Sequence, residues 1–181
     1  LLSEGTQQFR IHGSGVDLSY FRPRPVPNQP VFLLLARLIS DKGIREYHEA
    51  ARRLKPKYPH VRFLLGGPMD SNPSAIGKKE LDRWQAEEAV EYLGNLADVR
   101  QALADCTVYV LPAYREGVEN GVNGYLVTPR DSEALAEAMT RFIERPDLVE
   151  KMGQASLELA REKYDVHKVN EVILKAIGVQ P

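Results

Sequence analysis

The stretch Val31–Gly43, VFLLLARLISDKG, sets a continuous apolar run, Val31 to Ala36, directly before Arg37 and a short polar loop that carries Lys42 and Gly43. A run that is apolar at every position, not at alternate ones, reads as a strand covered on both faces, as in parallel α/β sheets. Ligands in such sheets bind where strands end and helices begin. Arg37 offers a planar fork of donors and Lys42 a point charge. The helix expected after Gly43 adds free amide N–H groups, and the three together suit a phosphate. No GxxxxGK[ST] loop occurs, and Gly13-Ser14-Gly15 leads to Leu18 where a dinucleotide fingerprint needs its third glycine. A phosphate site here is therefore built from side chains. A plain solvated loop would show the same residues, so the rest of the chain has to decide.

Strand and helix patterns alternate along that rest, which predicts an α/β domain with a parallel sheet and helices on both faces. Ile44, Tyr47, Ala51 and Leu54 mark a helix closed by Pro56 and Pro59. Val61–Leu65 reads as a strand ending at Gly66-Gly67-Pro68, and Ile76–Glu88 as a helix with Leu81 and Trp84 inward. A short strand at Val90–Leu93 ends at Gly94. Asp98 starts a short helix with Val99 and Leu103 inward, and Thr107–Leu111 is the next strand. Tyr125–Val127 reads as another. Asp131 suits the N-cap of a helix over Leu135–Ile143. Pro146 precedes a helix carrying Leu148, Met152 and Leu159. Val166, Val169, Ile173 and Ile177 stripe a last helix.

One connection conflicts with this scheme. Only about a dozen residues join Thr107–Leu111 to Tyr125–Val127, and AYREGVENGVNG has no helical periodicity, whereas a parallel crossover needs a dozen or more residues and usually a helix. Either these strands pair antiparallel or the chain lacks a segment, with a break expected between Gly117 and Asn120.

The chain has 181 residues, enough for a proper core, and a formal net charge of −1 with 27% charged residues. That balance does not suit nucleic-acid binding, which shows as a basic domain. A lone cysteine, Cys106, cannot form an internal disulfide and reads as a small buried hydrophobe in a reducing, cytoplasmic compartment. No apolar run approaches the ~18 residues of a membrane span.

With these residues in view, the chain resembles the C-terminal, donor-binding half of a GT-B-fold retaining glycosyltransferase of family four, the glycosyl transferases group 1. Gly15–Phe21 resembles the segment entering the second domain, and ARLISDKG the family's phosphate element. Leu65-Gly66-Gly67, Tyr92-Leu93-Gly94 and Leu111–Gly117 (LPAYREG) follow in family order, and Asn120–Val127 (NGVNGYLV) is close to the family's NGxxGxLV. The family's Glu-x7-Glu motif matches at Glu116, but Gly124 stands where the second Glu should be.

The resemblance implies a Rossmann-like doubly wound parallel sheet that moves a sugar from a nucleotide-sugar, UDP-linked, to a glycan or lipid-linked acceptor. The sugar would be of hexosyl or N-acetylhexosaminyl type, and the setting polysaccharide biosynthesis. The resemblance also implies the division of the chain: 1–22 as the end of an N-terminal domain and linker segment, 23–165 as the ligand-binding domain, and 166–181 as a C-terminal helix. It assigns Arg37 and Lys42 to the donor diphosphate, Glu116 to catalysis beneath the donor sugar, and Gly66, Gly67, Leu93 and Gly94 to framing the nucleotide. It implies no cofactor and no metal, since Asp70-Ser71-Asn72 is not an Asp-x-Asp motif. The partners implied are the donor, the acceptor and the protein's own N-terminal domain, with no nucleic acid, in the cytoplasm or peripherally at the inner face of the membrane.

Several other groups have plainer readings. His48-Glu49 lacks the second histidine of H-E-x-x-H, because Arg52 stands there, and reads as a pair on a helix surface. Glu87-Glu88 reads as a solvated helix end, and His12 as structural. Arg52, Arg53, Lys55 and Lys57 suit a helix C-terminus or an anionic lipid surface. A nucleotide-sugar binding module without turnover is the competing function. A receiver-like signalling domain fits poorly for want of a paired-acid site.

Overall fold

Strand β1 (Val31–Leu35) forms at the apolar run, and a computed structural model, which describes residues 9, 11, 13–111 and 118–179, shows why it is apolar throughout. β1 pairs in parallel with β2 (Arg62–Gly66) on one side and with β4 (Val108–Tyr109) on the other. β3 (Glu91–Tyr92) pairs with the far edge of β2, so the four-stranded order is β3-β2-β1-β4, all parallel.

Both faces of this sheet are covered. Phe32 and Leu34 of β1 pack against α1 (Ile44–Leu54), α2 (Lys78–Ala86) and α4 (Ser132–Glu144) through Tyr47, Trp84 and Leu135, among others. On the opposite face Val31, Leu33 and Leu64 pack against Ala102 and Leu103 of α3 (Arg100–Ala104). Phe32, Leu33 and Leu34 are 0% exposed, which an alternating strand could not achieve. The doubly wound α/β expectation is thus met.

Local chemistry places the helices. Asp131 accepts hydrogen bonds from the N–H groups of Glu133 and Ala134 and caps α4, as expected of an N-cap. Asp98 accepts from the Arg100 N–H at 2.9 Å at the start of α3. The Tyr47 hydroxyl, wholly buried, reaches the carbonyls of Phe32 and Leu64 at 3.0 and 3.1 Å and ties α1 to both central strands.

By contact the chain divides into two compact units, Arg24–Gly153 and a second that joins Leu1–Pro23 to Gln154–Pro181. The sheet belongs to the first. In the second, Val16 forms a parallel bridge with Asp165, and its N–H donates to the Tyr164 carbonyl at 2.7 Å. Gly15 lies so close to Val166 that a Cβ there would come within 2.7 Å of its Cα. Asp165 also caps α6 (Val166–Ala176). Helix α5 (Asp147–Leu159) carries the chain from one unit to the other.

Three expectations are corrected. Tyr125–Val127 is not a strand. Asn120 accepts from the Leu126 N–H, Asn123 from the Glu119 N–H, and the Gly121 N–H donates to the Gly124 carbonyl, so the segment folds as a stitched turn. Tyr125 sits edge-on to Phe142 of α4 at 5.4 Å instead of entering the sheet. Ile177 lies beyond α6 and is 66% exposed, outside the stripe drawn for it. His48 is buried, not a surface residue. The break expected between Gly117 and Asn120 begins at Gly117, outside the described residues.

Replacing Tyr47 with Phe should cost about 1 kcal/mol, the usual net worth of a buried hydrogen bond, read as a lower urea midpoint with unchanged slope. An unchanged midpoint would show that the hydroxyl does not hold α1 to the sheet.

Candidate functional site

In the order β3-β2-β1-β4 the connections leave β1 in opposite directions, first toward β2 and β3, later toward β4. The switch point therefore lies between β1 and β4, and a crevice beyond the carboxyl ends of these strands is where such sheets bind ligands. The predicted site residues among the described ones lie along the carboxyl edge of the sheet, Arg37 and Lys42 beyond β1 and Gly66, Gly67, Leu93 and Gly94 at the ends of β2 and β3. Arg37 follows the end of β1, exposed, and Lys42, half-buried, closes a 3-10 turn over Ser40–Lys42 on the same loop. Gly43 has φ 64°, the left-handed value glycine allows, and α1 starts from it with no side-chain cap.

Gly66 is the last residue of β2 and pairs with Leu35. Gly67, at φ 138°, lies against β1's exit: a Cβ there would stand 1.9 Å from the Ala36 carbonyl oxygen. Its N–H donates to the Gly94 carbonyl, and its own carbonyl accepts from the Tyr92 hydroxyl at 2.7 Å. The Leu93 N–H donates to the Leu65 carbonyl. Gly66, Gly67, Leu93 and Gly94 thus form one hydrogen-bonded corner, in which Gly67 is needed for close backbone approach. Glu116 lies outside the described residues.

The sequence reading missed one member of this edge. Asp70, in the loop after β2, pairs with Arg37 at 3.6 Å. The signal was the spacing of Asp70, Asn72 and Ser74, short polar residues that favour local turns, which had been weighed only as a metal motif. Among the described residues no cluster of three or more His, Cys, Asp or Glu could hold a metal ion.

A separate groove of about 700 Å³ runs between α1 and α2, with Arg45, His48, Glu80, Trp84 and Glu87 among its walls. His48 stacks on Trp84 at 4.3 Å and faces the Glu87 carboxylate at 3.2 Å. Burial pushes the His48 pKa below its usual 6.5, against the pull of Glu87. Arg45 binds Glu80 through two nitrogens and also reaches the Ser40 hydroxyl. The basic residues after α1's midpoint are engaged within the domain: Arg52 and Arg53 with Glu49, Lys55 with the Val61 carbonyl, and Lys57 with Glu144. Burial raises the Cys106 thiol to about 11, which keeps it protonated at neutral pH.

The family model described as glycosyl transferases group 1 matches residues 29–120, from the turn before β1 through the loop beyond β4. The chain belongs to this family. Among curated relatives, a Campylobacter jejuni enzyme is 33% identical over 120 residues. It is the N,N'-diacetylbacillosaminyl-diphospho-undecaprenol alpha-1,3-N-acetylgalactosaminyltransferase, and the match takes in 64% of this chain and 30% of the relative. Bacillus subtilis EpsD is 25% identical over 209 residues, covering 93% of this chain and 54% of EpsD. That alignment is longer than the 181-residue chain, so EpsD carries residues with no counterpart here.

The fold recurs in Anabaena HepE in complex with UDP, at TM-score 0.77 and 22% identity over 91% of this chain and 56% of that one. It also recurs in the C-terminal domain of a Francisella tularensis group 1 protein, LpcC. There the TM-score is 0.70 at 21% identity, over 84% of this chain and the whole of that domain. The chain thus has the fold of the C-terminal half of a GT-B glycosyltransferase, and its matches span 30% of the Campylobacter relative and 54% of EpsD.

Two outcomes test the geometry. Gly67→Ala should destabilise the fold by about 1–3 kcal/mol, because a side chain at this φ meets the Ala36 carbonyl; an unaltered melting temperature would contradict the close approach. For His48 the neutral form is favoured by folding, so the unfolded chain binds more protons and stability falls as pH drops below about 6.5. The unfolding free energies of wild type and His48→Gln, compared from pH 7 to pH 5, should diverge, with the wild type losing more. Parallel curves would show that His48 does not titrate with folding.

Proposed function

We propose that this chain is the donor-binding half of a retaining glycosyltransferase that moves a hexosyl or N-acetylhexosaminyl unit from a UDP-linked nucleotide-sugar to a glycan or lipid-linked acceptor. The observation that carries it is the loop between β1 and α1, which brings Arg37, Lys42 and the uncapped start of a helix to the switch point of a parallel sheet.

The chemistry follows from what that loop holds. As the bond from the anomeric carbon to phosphate breaks, negative charge grows on the departing diphosphate while the sugar gains oxocarbenium character. Fixed cations and helix N–H groups placed where the charge develops stabilise that state more than the ground state. Arg37 gives the diphosphate a forked contact and Lys42 a point charge. No step here calls for a metal or cofactor. Gly66, Gly67, Leu93 and Gly94 let the backbone approach the nucleoside. Glu116, by resemblance, bonds the donor sugar's hydroxyls and favours its cationic form.

The UDP in HepE and the undecaprenol-linked substrate in the name of the Campylobacter relative support the donor and acceptor classes. The undecaprenol-linked substrate in that relative's name also supports a peripheral place at the membrane's inner face as our reading. No helix among the described residues is long and apolar enough to cross a membrane. We assign residues 23–165 to donor binding, 1–22 to the exit from an acceptor-side domain, and 166–181 to a closing helix. Chemistry then takes place in the cleft that the two halves form, where proximity of two bound substrates supplies much of the rate.

Two observations favour a second reading, a nucleotide-sugar binding module without turnover: the sequence has Gly124 at the position of the motif's second Glu, and EpsD has residues this chain lacks. Sugar transfer by the full protein, abolished by Glu116→Gln with UDP affinity retained, decides for the enzyme. UDP binding with no transfer by the full protein decides for the module.

Isothermal titration with UDP tests the site. Arg37→Ala and Lys42→Ala should each weaken binding by about 1.5–3 kcal/mol, the scale of a lost charged hydrogen bond. Dissociation constants unchanged in both would exclude this loop as the phosphate site.

A further inference from the structure

The loop that follows β2 is fastened to the loop that follows β1. The Leu38 N–H donates to the Pro68 carbonyl at 3.0 Å, the Ser40 N–H to the Ser74 carbonyl at 2.9 Å, and the Ile76 N–H to the Leu38 carbonyl at 2.8 Å. The Ser40 hydroxyl adds a bond to the Ser74 carbonyl, and Ile39 forms an antiparallel bridge with Ala75. The second loop holds its own shape through short side chains. Asp70 Oδ1 accepts from the Asn72 N–H at 2.8 Å, and Asn72 Oδ1 accepts from both the N–H and the hydroxyl of Ser74.

Within this frame the two oxygens of Asp70 are divided. Oδ1 closes the turn, while Oδ2 faces Arg37 Nη1 at 3.6 Å, with 20% of the Asp70 side chain exposed against 64% for Arg37. An acid fixed by the Asn72 N–H thus stands beside a largely exposed cation assigned above to the donor diphosphate. At 3.6 Å the contact is an ion pair outside hydrogen-bond range, and exposed pairs of this kind are weak. Arg37 is therefore held loosely and can be taken by a stronger partner, which a diphosphate is.

We propose that Asp70 is the counter-charge that Arg37 exchanges for the donor's diphosphate, so that Asp70 sets how tightly the spent nucleoside diphosphate is held. The proposal rests on the reading of Arg37 as a diphosphate ligand. Asp70 competes for the guanidinium and, at the same time, repels the incoming anion. Its effect is unequal on the two species that visit the site. In a nucleotide-sugar the β-phosphate is bonded to the sugar on one side and by an anhydride to the α-phosphate on the other, and carries one negative charge. Once the sugar has left, that phosphate is terminal and carries nearly two. Repulsion from a fixed carboxylate therefore rises when the product forms, and Asp70 favours release of product over loss of donor.

The turn geometry supplies a clean test. Asparagine keeps an Oδ1 acceptor for the Asn72 N–H and removes the charge, so Asp70→Asn changes the electrostatics and leaves the turn intact. In titrations of the 181-residue chain with UDP, Asp70→Asn should lower the dissociation constant about two- to fivefold, the scale of one exposed ion pair. Asp70→Glu, which retains the charge, should stay near wild type. Salt at about 1 M should erase the difference between Asp70→Asn and wild type, since it screens charges beyond ~3 Å, whereas a purely structural effect would persist. In an Arg37→Ala background the same substitution should change the constant less than it does in wild type. An Asp70→Asn dissociation constant that is unchanged or raised overturns the proposal. If Arg37→Ala and Lys42→Ala both bind UDP as wild type does, the phosphate-site reading fails first, whatever Asp70 does.

Discussion

Strand β1 must bury both of its faces, and the rest of the structure is arranged around that necessity. Phe32 and Leu34 require the α1, α2 and α4 side, and Leu33 requires α3. A strand enclosed in this way has neighbours on both edges, so β2 and β4 have to lie on either side of it. Because β2 follows β1 in sequence and β4 comes much later, the chain reverses its winding across β1. The crevice at the switch point is then a product of hydrophobic burial, and the polar loop at its mouth inherits a position that no polar interaction had to create.

At that mouth the backbone comes unusually near itself. Gly67 leaves no room for a side chain before the Ala36 carbonyl, and the Tyr92 hydroxyl and the Gly94 carbonyl take up its own backbone groups. The corner is rigid because its polar atoms bond one another across β2 and β3. The loop carrying Arg37 and Lys42 is stiffened as well, by its ladder to residues 68–76. Two adjoining pieces of backbone, braced by one continuous set of hydrogen bonds, thus hold the strand ends in place without large secondary-structure elements.

Much of this could be read from residue order. The unbroken apolar run named β1 as buried, Ile44, Tyr47, Ala51 and Leu54 marked the inner face of α1, and Asp131 announced its helix, because each of these signals is local or periodic. The readings that failed missed side-chain bonds and packing partners that no simple periodicity displays. A run of three apolar residues at Tyr125–Val127 resembles a strand, yet Asn120 and Asn123, each just before a glycine, offer the backbone nearer bonds, and Tyr125 finds Phe142. His48 read as exposed since its burial comes from Trp84, on another helix. Asp70 was read for metal chemistry because nothing in the order of residues shows that its loop folds back on Arg37. Glu116 stays legible only through family resemblance.

Thr107 carries a further consequence. Its hydroxyl bonds both the N–H and the carbonyl of Val31, at 2.9 and 3.0 Å, and the two residues are 76 positions apart. The β1–β2 ladder and its helix close a much shorter loop, and shorter loops are the less costly to close. During folding, strands β1 to β3 can therefore assemble while β4 is still unplaced, and the crevice between β1 and β4 comes into being last. On a ribosome the same order holds more strictly, because Thr107 has yet to emerge when β2 and β3 are already synthesised. A nascent chain would hold its β1–β2 pairing well before it held a place for a ligand.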